Sequence, residues 1–158
     1  MAIPSRNSIP EKTLSSSRTF FATTKTSMGK RLLQSERNAM LLVDVLRSYI
    51  AERNFLLHDF VIMPDHVHLL LTVHADMSVE KAMQLIKGRF SYRLKRECNY
   101  LGEVWQRGFS EMRADDEKSF LSYREYIAQN PVKAGLADSP NQYPFCYGYL
   151  AMKKGNCA

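Results

Sequence analysis

The chain is short of cysteine, and it has neither a Gly-rich phosphate loop nor a long apolar run. Its three cysteines, Cys98, Cys146 and Cys157, include no C-x-x-C pair. An odd number without such a pair argues against a disulfide framework and against a four-thiolate zinc site. No apolar stretch is long enough to span a bilayer, and the N-terminus lacks the apolar region of a secretory signal. We therefore expect a cytoplasmic protein with no membrane contact.

The composition is that of an ordinary globular protein with a basic excess. Of its 158 residues, 45% are hydrophobic and 24% are charged, which suits one domain with its own core. The 22 Lys and Arg exceed the 16 Asp and Glu, giving a net charge of +6. A basic chain favours phosphate-rich partners, because displaced counterions add affinity. Residues 81–113 hold eight basic and three acidic side chains, a net charge of +5, so most of the excess lies in one segment.

The sequence divides into three parts: a flexible N-terminal leader at 1–18, one domain at 19–150 and a C-terminal tail at 151–158. Within the domain, β-branched and aromatic residues predict strands at 19–26, 55–63, 67–73 and 103–113. Helical spacing of apolar residues predicts three helices, whose N-caps are Ser35, Ser78, and Asp115 or Asp116. The first two run to about 53 and 98, and the third is expected to stop at Asn130 because Pro131 follows.

The predicted order of elements is β-α-β-β-α-β-α. This is the order of a ferredoxin-like split β-α-β fold with one added C-terminal helix. The expected fold class is therefore α+β, with an antiparallel sheet that carries two helices on one face. The opposite face is left for a ligand or for the third helix, which would carry catalytic residues.

Two histidines on a predicted strand form the first candidate site. His66 and His68 follow Pro64 and Asp65 and lead into the apolar run Leu69–Leu71. Because alternate side chains of a strand share a face, the two imidazoles project together, about 6–7 Å apart along the strand. Both can therefore reach one divalent cation. The alternative is a pair of half-exposed strand histidines without a ligand.

A tyrosine and an asparagine on the third helix form the second candidate site. Tyr126 and Asn130 are four residues apart, so they lie on one helix face, one turn from each other. Ile127 points to a different face, toward the core. A phenol oxygen and an amide oxygen could thus meet a metal held by the histidines, as nucleophile and ligand. The alternative is a partly buried aromatic residue near a helix end.

Three ordered motifs resemble those of a known family. They are MPDHVH at 63–68, VWQRGF at 104–109, and YI followed by NPVKAGL within 126–136. The pattern covers about residues 19–150 and resembles the REP-associated tyrosine transposases. These are single-strand insertion-sequence transposases within the HUH nuclease superfamily.

The resemblance implies a fold, a cofactor, a partner and a reaction. Such proteins have a ferredoxin-like core, use Mg²⁺ or Mn²⁺ and bind single-stranded DNA with imperfect hairpins. By position, the implied metal ligands are His66, His68 and Asn130, and Tyr126 is the implied nucleophile that forms a 5′-phosphotyrosine. Related insertion-sequence enzymes commonly have Gln as the third ligand, and many relatives carry Asp-His or Asp-Arg where 111–113 here reads Glu-Met-Arg. The resemblance is compatible with a monomer and with a homodimer.

Nucleic-acid contacts are expected within the basic segment. Basic side chains neutralise phosphates, and aromatic side chains stack on unpaired bases. The residues predicted to make these contacts are Lys87, Arg89, Arg93, Arg96, Trp105 and Arg107. The alternative is that Phe90 and Trp105 belong to the core and that the basic residues form a solvated helix face.

The sequence therefore predicts a metal-dependent endonuclease and strand transferase for hairpin-bearing single-stranded DNA. One alternative is a DNA or RNA hairpin-binding module on the same fold that has lost catalysis. Another is a metal-dependent phosphodiesterase for small substrates, which the missing Gly-rich phosphate loop disfavours.

Overall fold

The sheet at the centre of the protein has four antiparallel strands. The structure is a computed structural model that describes residues 17–74 and 76–150. Within those residues the strands are β1 at Arg18–Lys25, β2 at Leu56–Met63, β3 at His66–Val73 and β4 at Ser110–Arg113. Their spatial order is β2-β3-β1-β4, and every neighbouring pair is antiparallel. The helices are α1 at Glu36–Glu52, α2 at Val79–Cys98 and α3 at Glu117–Lys133.

The predicted α+β ferredoxin-like class is confirmed. The proposed boundaries of the domain stay a prediction, since residues 1–16 of the leader and the whole tail at 151–158 lie outside the described residues.

Each helix begins at a capping residue that the sequence predicts. The side chains of Ser35, Ser78 and Asp116 accept hydrogen bonds from backbone N–H groups in the first turns of α1, α2 and α3. Such caps satisfy donors that have no partner inside the helix. Helices α1 and α2 end at Arg53 and Asn99, which both adopt left-handed backbone conformations.

Helices α1 and α2 cover one face of the sheet and form the main core with it. The β3 residues on this face are those that the alternation predicts: Val67, Leu69, Leu71 and Val73. They pack with Phe20 and Ala22 of β1 and with the apolar sides of both helices. The side chains between them, including His66 and His68, therefore lie on the opposite face.

Helix α3 packs on that opposite face. Ile127 is buried in a second, smaller core with Phe21, Val61 and Leu70. Phe120 and Tyr123 of α3 pack against the same cluster. The third helix thus occupies part of the face that the predicted order of elements left uncovered.

Strand β4 is much shorter than predicted. We expected it over 103–113, but only Ser110–Arg113 pairs with β1 as a strand, and Trp105 forms an isolated bridge with Thr26. The preceding loop takes a different course because Lys87 of α2 donates hydrogen bonds to the carbonyls of Gln106 and Gly108. These backbone groups are therefore satisfied by a side chain rather than by a neighbouring strand.

Helix α3 continues past Pro131, so the expected end at Asn130 was wrong. The helix runs to Lys133, and the backbone then closes with hydrogen bonds from Ala134 to Asn130 and from Leu136 to Pro131. Proline removes one hydrogen bond from the last turn but does not end the helix there. The stop comes at Gly135, whose φ of 76° is the left-handed conformation that glycine adopts readily.

The segment after α3 lies along the outer edge of β2. The backbone N–H of Ile62 donates to the carbonyl of Phe145, and the Tyr143 hydroxyl donates to the Ile62 carbonyl at 2.5 Å. This pairing covers backbone groups that an edge strand would otherwise expose. Among the helices of residues 17–74 and 76–150, none is both long and apolar enough to cross a membrane.

A buried carboxyl group lies where α3 meets β2. Asp59 is 8% exposed, accepts a hydrogen bond from the backbone N–H of Phe60, and has Arg124 Nε of α3 at 3.6 Å. Burial raises the pKa of Asp59 to about 6, although the Phe60 N–H and the Arg124 charge act in the other direction. The charged form of this group is therefore costly in the folded protein.

We predict that Asp59→Asn raises the free energy of unfolding above about pH 6. Between its ordinary pKa of 3.8 and its folded pKa of about 6, Asp59 holds a proton that the unfolded chain has lost. Folding stability contributed by this group therefore falls as the pH rises from about 4 to about 6, by at most about 3 kcal/mol. Urea unfolding of the wild type and the variant from about pH 4 to about pH 7 measures the difference.

Glu125→Gln is the control, because Glu125 is an exposed carboxyl that lines the same cavity as Asp59. It should leave the pH dependence of the wild type unchanged. A difference between wild type and Asp59→Asn that is the same at every pH would contradict the assignment.

Candidate active site

His66 and His68 lie side by side on the face of β3 that α3 partly covers. Their ring centroids are 4.8 Å apart, with the rings at 77° to each other. His68 is buried, whereas His66 is partly exposed. The predicted common face of the two imidazoles is therefore present in the structure.

Both imidazoles are held through the same ring nitrogen. His66 Nδ1 is 2.7 Å from Oδ1 of Asp65, and His68 Nδ1 is 2.7 Å from Oγ1 of Thr23 on β1. When Nδ1 carries the ring proton and donates it to a protein oxygen, the lone pair of Nε2 is free for a ligand. This is the arrangement that a pair of metal-binding histidines needs.

Burial keeps His68 uncharged near neutral pH. Loss of contact with water, together with a smaller effect of the neighbouring His66, lowers the pKa of His68 to about 4. A neutral imidazole keeps the lone pair with which it binds a cation.

The ring of Tyr126 lies against His68, so the structure brings the two candidate motifs together. The ring centroids are 5.4 Å apart, with the rings at 76°. Tyr126 also contacts the edge of Phe21, whose ring stacks on Tyr123 at 4.5 Å. Phe21 thus contacts both tyrosines of α3. The side chain of Tyr126 is still 45% exposed, so a substrate can reach it.

Asn130 lies one helical turn after Tyr126 and is partly buried. Because α3 stays regular through Pro131, the two residues share a helix face as predicted. Its side chain has no hydrogen-bond partner among the described residues, so the amide is available to a ligand. In the part of the chain that the structure describes, no group of three or more His, Cys, Asp or Glu side chains is arranged to hold a metal ion.

Two of the predicted nucleic-acid contacts, Arg89 and Arg93, instead join α2 to α1. Arg89 stacks on Tyr49 at 4.1 Å and pairs with Glu52, and Arg93 pairs with Asp44 and Glu97. These contacts lie on the helix-covered side of the sheet. Both arginines thus have protein partners, and their contact with a nucleic acid stays a prediction.

Trp105 and Lys87 also have structural partners. Trp105 is 9% exposed, packs against Phe90, and donates from Nε1 to the carbonyl of Lys87. The alternative that placed Phe90 and Trp105 in the core agrees with the structure. Of the predicted contacts, Arg96 and Arg107 remain exposed, and Arg107 lies in the loop beside the end of β1.

Sequence patterns did not reveal two residues beside the histidines, Thr23 and Lys25. The register of β1 on β3 places Thr23 opposite His68 and Lys25 opposite His66. Alternation along β1 would have placed them on one face, but only the strand pairing shows that this face carries the histidines.

The site is accessible to solvent, since Tyr126 is 45% exposed and His66 is partly exposed. Cavities of about 510 and 400 Å³ lie elsewhere: one is lined by Asp59, Arg124 and Cys146, the other by Lys87, Trp105 and Phe109. Sites for small molecules are usually concave and enclose most of the ligand. An open face with a half-exposed tyrosine fits a polymer better than a small substrate.

A family model described as "Transposase IS200 like" matches residues 18–130. The matched stretch contains all four strands of the sheet and all four candidate residues of the site. The chain belongs to the IS200-like transposase family. Its members are tyrosine transposases, and they generally need a divalent metal ion.

Among curated proteins, the chain is similar to some that are named REP-associated tyrosine transposases. The chain is 30% identical over 94 residues to a provisionally named REP-associated tyrosine transposase of Haemophilus influenzae, covering 53% of each protein. It is 28% identical over 105 residues to the REP-associated tyrosine transposase of Escherichia coli, covering 66% of this chain and 61% of that protein. The expected resemblance is confirmed, and the matched stretches span little more than half of these relatives.

Solved structures share the fold of this IS200-like transposase. A REP-associated tyrosine transposase bound to a REP hairpin superposes with a TM-score of 0.72 at 24% identity, over 98% of this chain and 87% of that one. A transposase-like protein of Deinococcus radiodurans gives a TM-score of 0.54 at 20% identity, over 80% and 95% of the two chains. At these identities the likeness concerns the fold.

We predict that the neutral imidazole of His66 carries its ring proton on Nδ1. The partner of Nδ1 is a carboxylate oxygen of Asp65, which can accept a hydrogen bond but not donate one. Asp65→Ala should therefore shift part of the population to the Nε2–H form. Long-range proton–nitrogen NMR spectra of the imidazoles measure both states.

Asp138→Ala, which removes an exposed carboxyl beyond α3, should leave the His66 spectrum unchanged. A wild-type spectrum dominated by the Nε2–H form would contradict the geometry of the Asp65–His66 pair.

Proposed function

We propose that this chain is a metal-dependent endonuclease and strand transferase that acts on hairpin-bearing single-stranded DNA. Tyr126 is the proposed nucleophile, and the proposed metal ligands are His66, His68 and Asn130. The observation that carries the proposal is the contact between the Tyr126 and His68 rings, 5.4 Å apart between centroids. It joins a possible nucleophile on α3 to a histidine pair on β3 that is distant in sequence.

The chemistry follows from a phenol oxygen placed beside a phosphodiester. Tyr126 Oη attacks the phosphorus, and the bond from phosphorus to the 3′ oxygen breaks. The phenol proton passes to water, and the departing 3′ oxygen takes up a proton. The product is a 5′-phosphotyrosine and a free 3′-hydroxyl, so the phosphoester bond is kept on the protein. Attack by another 3′-hydroxyl reverses these events and rejoins DNA without a nucleotide cofactor.

The donor atoms of these residues fit a divalent cation. Thr23 and Asp65 hold the Nδ1 atoms of the two imidazoles, which leaves both Nε2 atoms for a ligand. The Asn130 amide oxygen adds a hard donor of the type that Mg²⁺ and Mn²⁺ prefer. When bound, such an ion would draw charge from the phosphate oxygens and orient the phosphate toward the tyrosine.

The family and the relatives support DNA as the substrate. One solved relative of the same fold is described as bound to a REP hairpin. The open site suits a strand that passes across the protein, and the exposed Arg107 lies close to it. Hairpin-bearing single strands are therefore the substrates to test first, whereas monomeric and dimeric forms of the enzyme are both compatible with this site.

A binding module without catalysis is the second candidate function. It would need the fold and the basic surface but not the pairing of Tyr126 with the histidines. The exposed phenol and the two free Nε2 atoms favour the enzyme, because a binding surface has no use for a nucleophile beside a cation site.

We predict that Tyr126→Phe abolishes the covalent protein–DNA adduct and leaves DNA binding intact. The change removes only the attacking oxygen, and the ring contacts with His68 and Phe21 remain. Labelled hairpin-bearing DNA is incubated with the protein and Mn²⁺, and an adduct is sought on a denaturing gel. Loss of the nucleophile should lower adduct formation at least about 10³-fold.

Tyr92→Phe is the matched control, because Tyr92 is also an exposed helix tyrosine but lies on α2. It should form the adduct at the wild-type rate. Wild-type protein that binds the DNA but never forms an adduct would support the binding module instead.

We predict that His66→Ala lowers the cleavage rate more than about 100-fold while DNA affinity changes little. The substitution removes a proposed metal ligand but leaves the fold intact. A readout that needs no activity is paramagnetic broadening. Substoichiometric Mn²⁺ should broaden the NMR signals of His66 and His68 in the wild type, and His66→Ala should reduce the broadening of His68.

His74 is the internal control, since it lies at the end of β3 and bonds to Ser17 instead. Its signal should stay sharp in the same titration. Equal broadening of His74 and His68 would contradict a cation site at the histidine pair, and equal loss of cleavage and binding in His66→Ala would indicate a structural role.

A further inference from the structure

We infer that Lys25 is a further substrate-contacting residue, which binds a phosphate of the nucleic-acid strand beside Tyr126. The inference rests on the proposed function and adds a residue to its site. It comes from the position of Lys25 on the sheet, from its exposure and from the absence of a protein partner for its charge.

The strand register places Lys25 next to the histidine pair. Lys25 of β1 is the cross-strand partner of His66, just as Thr23 is the partner of His68. Side chains directly opposite each other in antiparallel strands have Cβ atoms about 4.5–5.5 Å apart. The hydrogen bond between Thr23 and His68 shows that this row of β1 side chains lies on the same face as the histidines. Lys25 therefore stands beside His66 on the face that Tyr126 occupies.

Among the lysines and arginines of the described strands, Lys25 is the one on the same sheet face as the histidines. The other basic residues of the four described strands are Arg18 and Arg113, and both lie on the opposite face by register. Arg113 confirms this placement, since its guanidinium lies over the ring of Phe20 in the main core. The positive charge nearest to the histidine pair on β1 is thus that of Lys25.

The ammonium group of Lys25 is free to bind a ligand. The side chain is exposed and forms no hydrogen bond or ion pair with the residues that the structure describes. Asp65, which precedes His66 in the sequence, pairs with His66. By contrast, Lys87, Arg89 and Arg93 are all committed to protein partners.

The backbone of Lys25 also ties it to an exposed arginine. Its carbonyl accepts a hydrogen bond at 2.8 Å from the N–H of Gln106, the residue before Arg107. The end of β1 and the loop at 101–109 thus bring two free cations to one edge of the site. A strand whose phosphates follow this edge would meet Lys25 first beside His66 and Arg107 beyond it.

A lysine at this position would act on the phosphate electrostatically. The phosphate carries negative charge that repels the Tyr126 oxygen, and charge builds further as the bond to phosphorus forms. An ammonium group fixed beside it stabilises that charge, and removal of one such donor typically costs about 10²–10³-fold in rate. Lys25 takes no proton and forms no covalent bond in this role.

The test compares Lys25→Met with the wild type in single-turnover cleavage of hairpin-bearing DNA. Methionine keeps the length and the apolar part of the side chain but removes the charge. We expect cleavage to slow by about 10²-fold, with Lys25→Arg retaining most of the rate. The same change made in the Tyr126→Phe background, where no cleavage occurs, should reduce the slope of log affinity against log salt by about one.

Lys30→Met is the matched control, because Lys30 is equally exposed but lies beyond the strand, outside the row of side chains that faces the histidines. It should cleave at the wild-type rate. Wild-type activity in Lys25→Met, with an unchanged salt slope, would overturn the inference and leave the proposed function standing. If the wild type forms no adduct with any hairpin, the proposed function is wrong. In that case the salt slope of binding still tests Lys25, and an unchanged slope in Lys25→Met would show that Lys25 does not contact a phosphate.

Discussion

The antiparallel register between β1 and β3 is the constraint on which the site depends. It pairs Thr23 with His68 and Lys25 with His66, so one row of β1 side chains lies next to the histidine row of β3. A slip of one residue would turn every one of these groups to the other face of the sheet. The register is itself fixed by burial, since Phe20 and Ala22 of β1 must face the main core under α1 and α2.

The second core completes the site by bringing α3 to the histidines. Phe21 alternates with Phe20 and Ala22, so it emerges on the site face, where its ring stacks on His68 and Tyr123 and meets Tyr126 at a right angle. Ile127 anchors the helix next to it. The proposed nucleophile and the proposed cation site are therefore aligned by packing around one phenylalanine. The buried Asp59 lies where α3 meets β2, and burial there raises its pKa to about 6.

Much of this architecture follows from local patterns in the sequence. Apolar spacing and the caps Ser35, Ser78 and Asp116 predict the helices, and alternation on β3 predicts that His66 and His68 share a face. Long-range partners were harder to foresee. The sequence alone predicts that Arg89 and Arg93 contact DNA. It does not show that Glu52 and Asp44 of α1 form ion pairs with them. The loop before the short β4 is held by hydrogen bonds from Lys87 of α2, which local patterns do not predict. The position of Lys25 beside His66 follows only from the pairing of β1 with β3.

The central claim is that DNA becomes attached to the tyrosine that lies against His68. The most direct measurement is mass spectrometry of the adduct formed with hairpin-bearing DNA and Mn²⁺, after nuclease and trypsin digestion. Cleavage after Arg124 and Lys133 releases residues 125–133, in which Tyr126 is the one tyrosine. The account predicts that this peptide carries the nucleotide mass. A nucleotide on the neighbouring peptide, which contains Tyr123, or on any other tyrosine would contradict it.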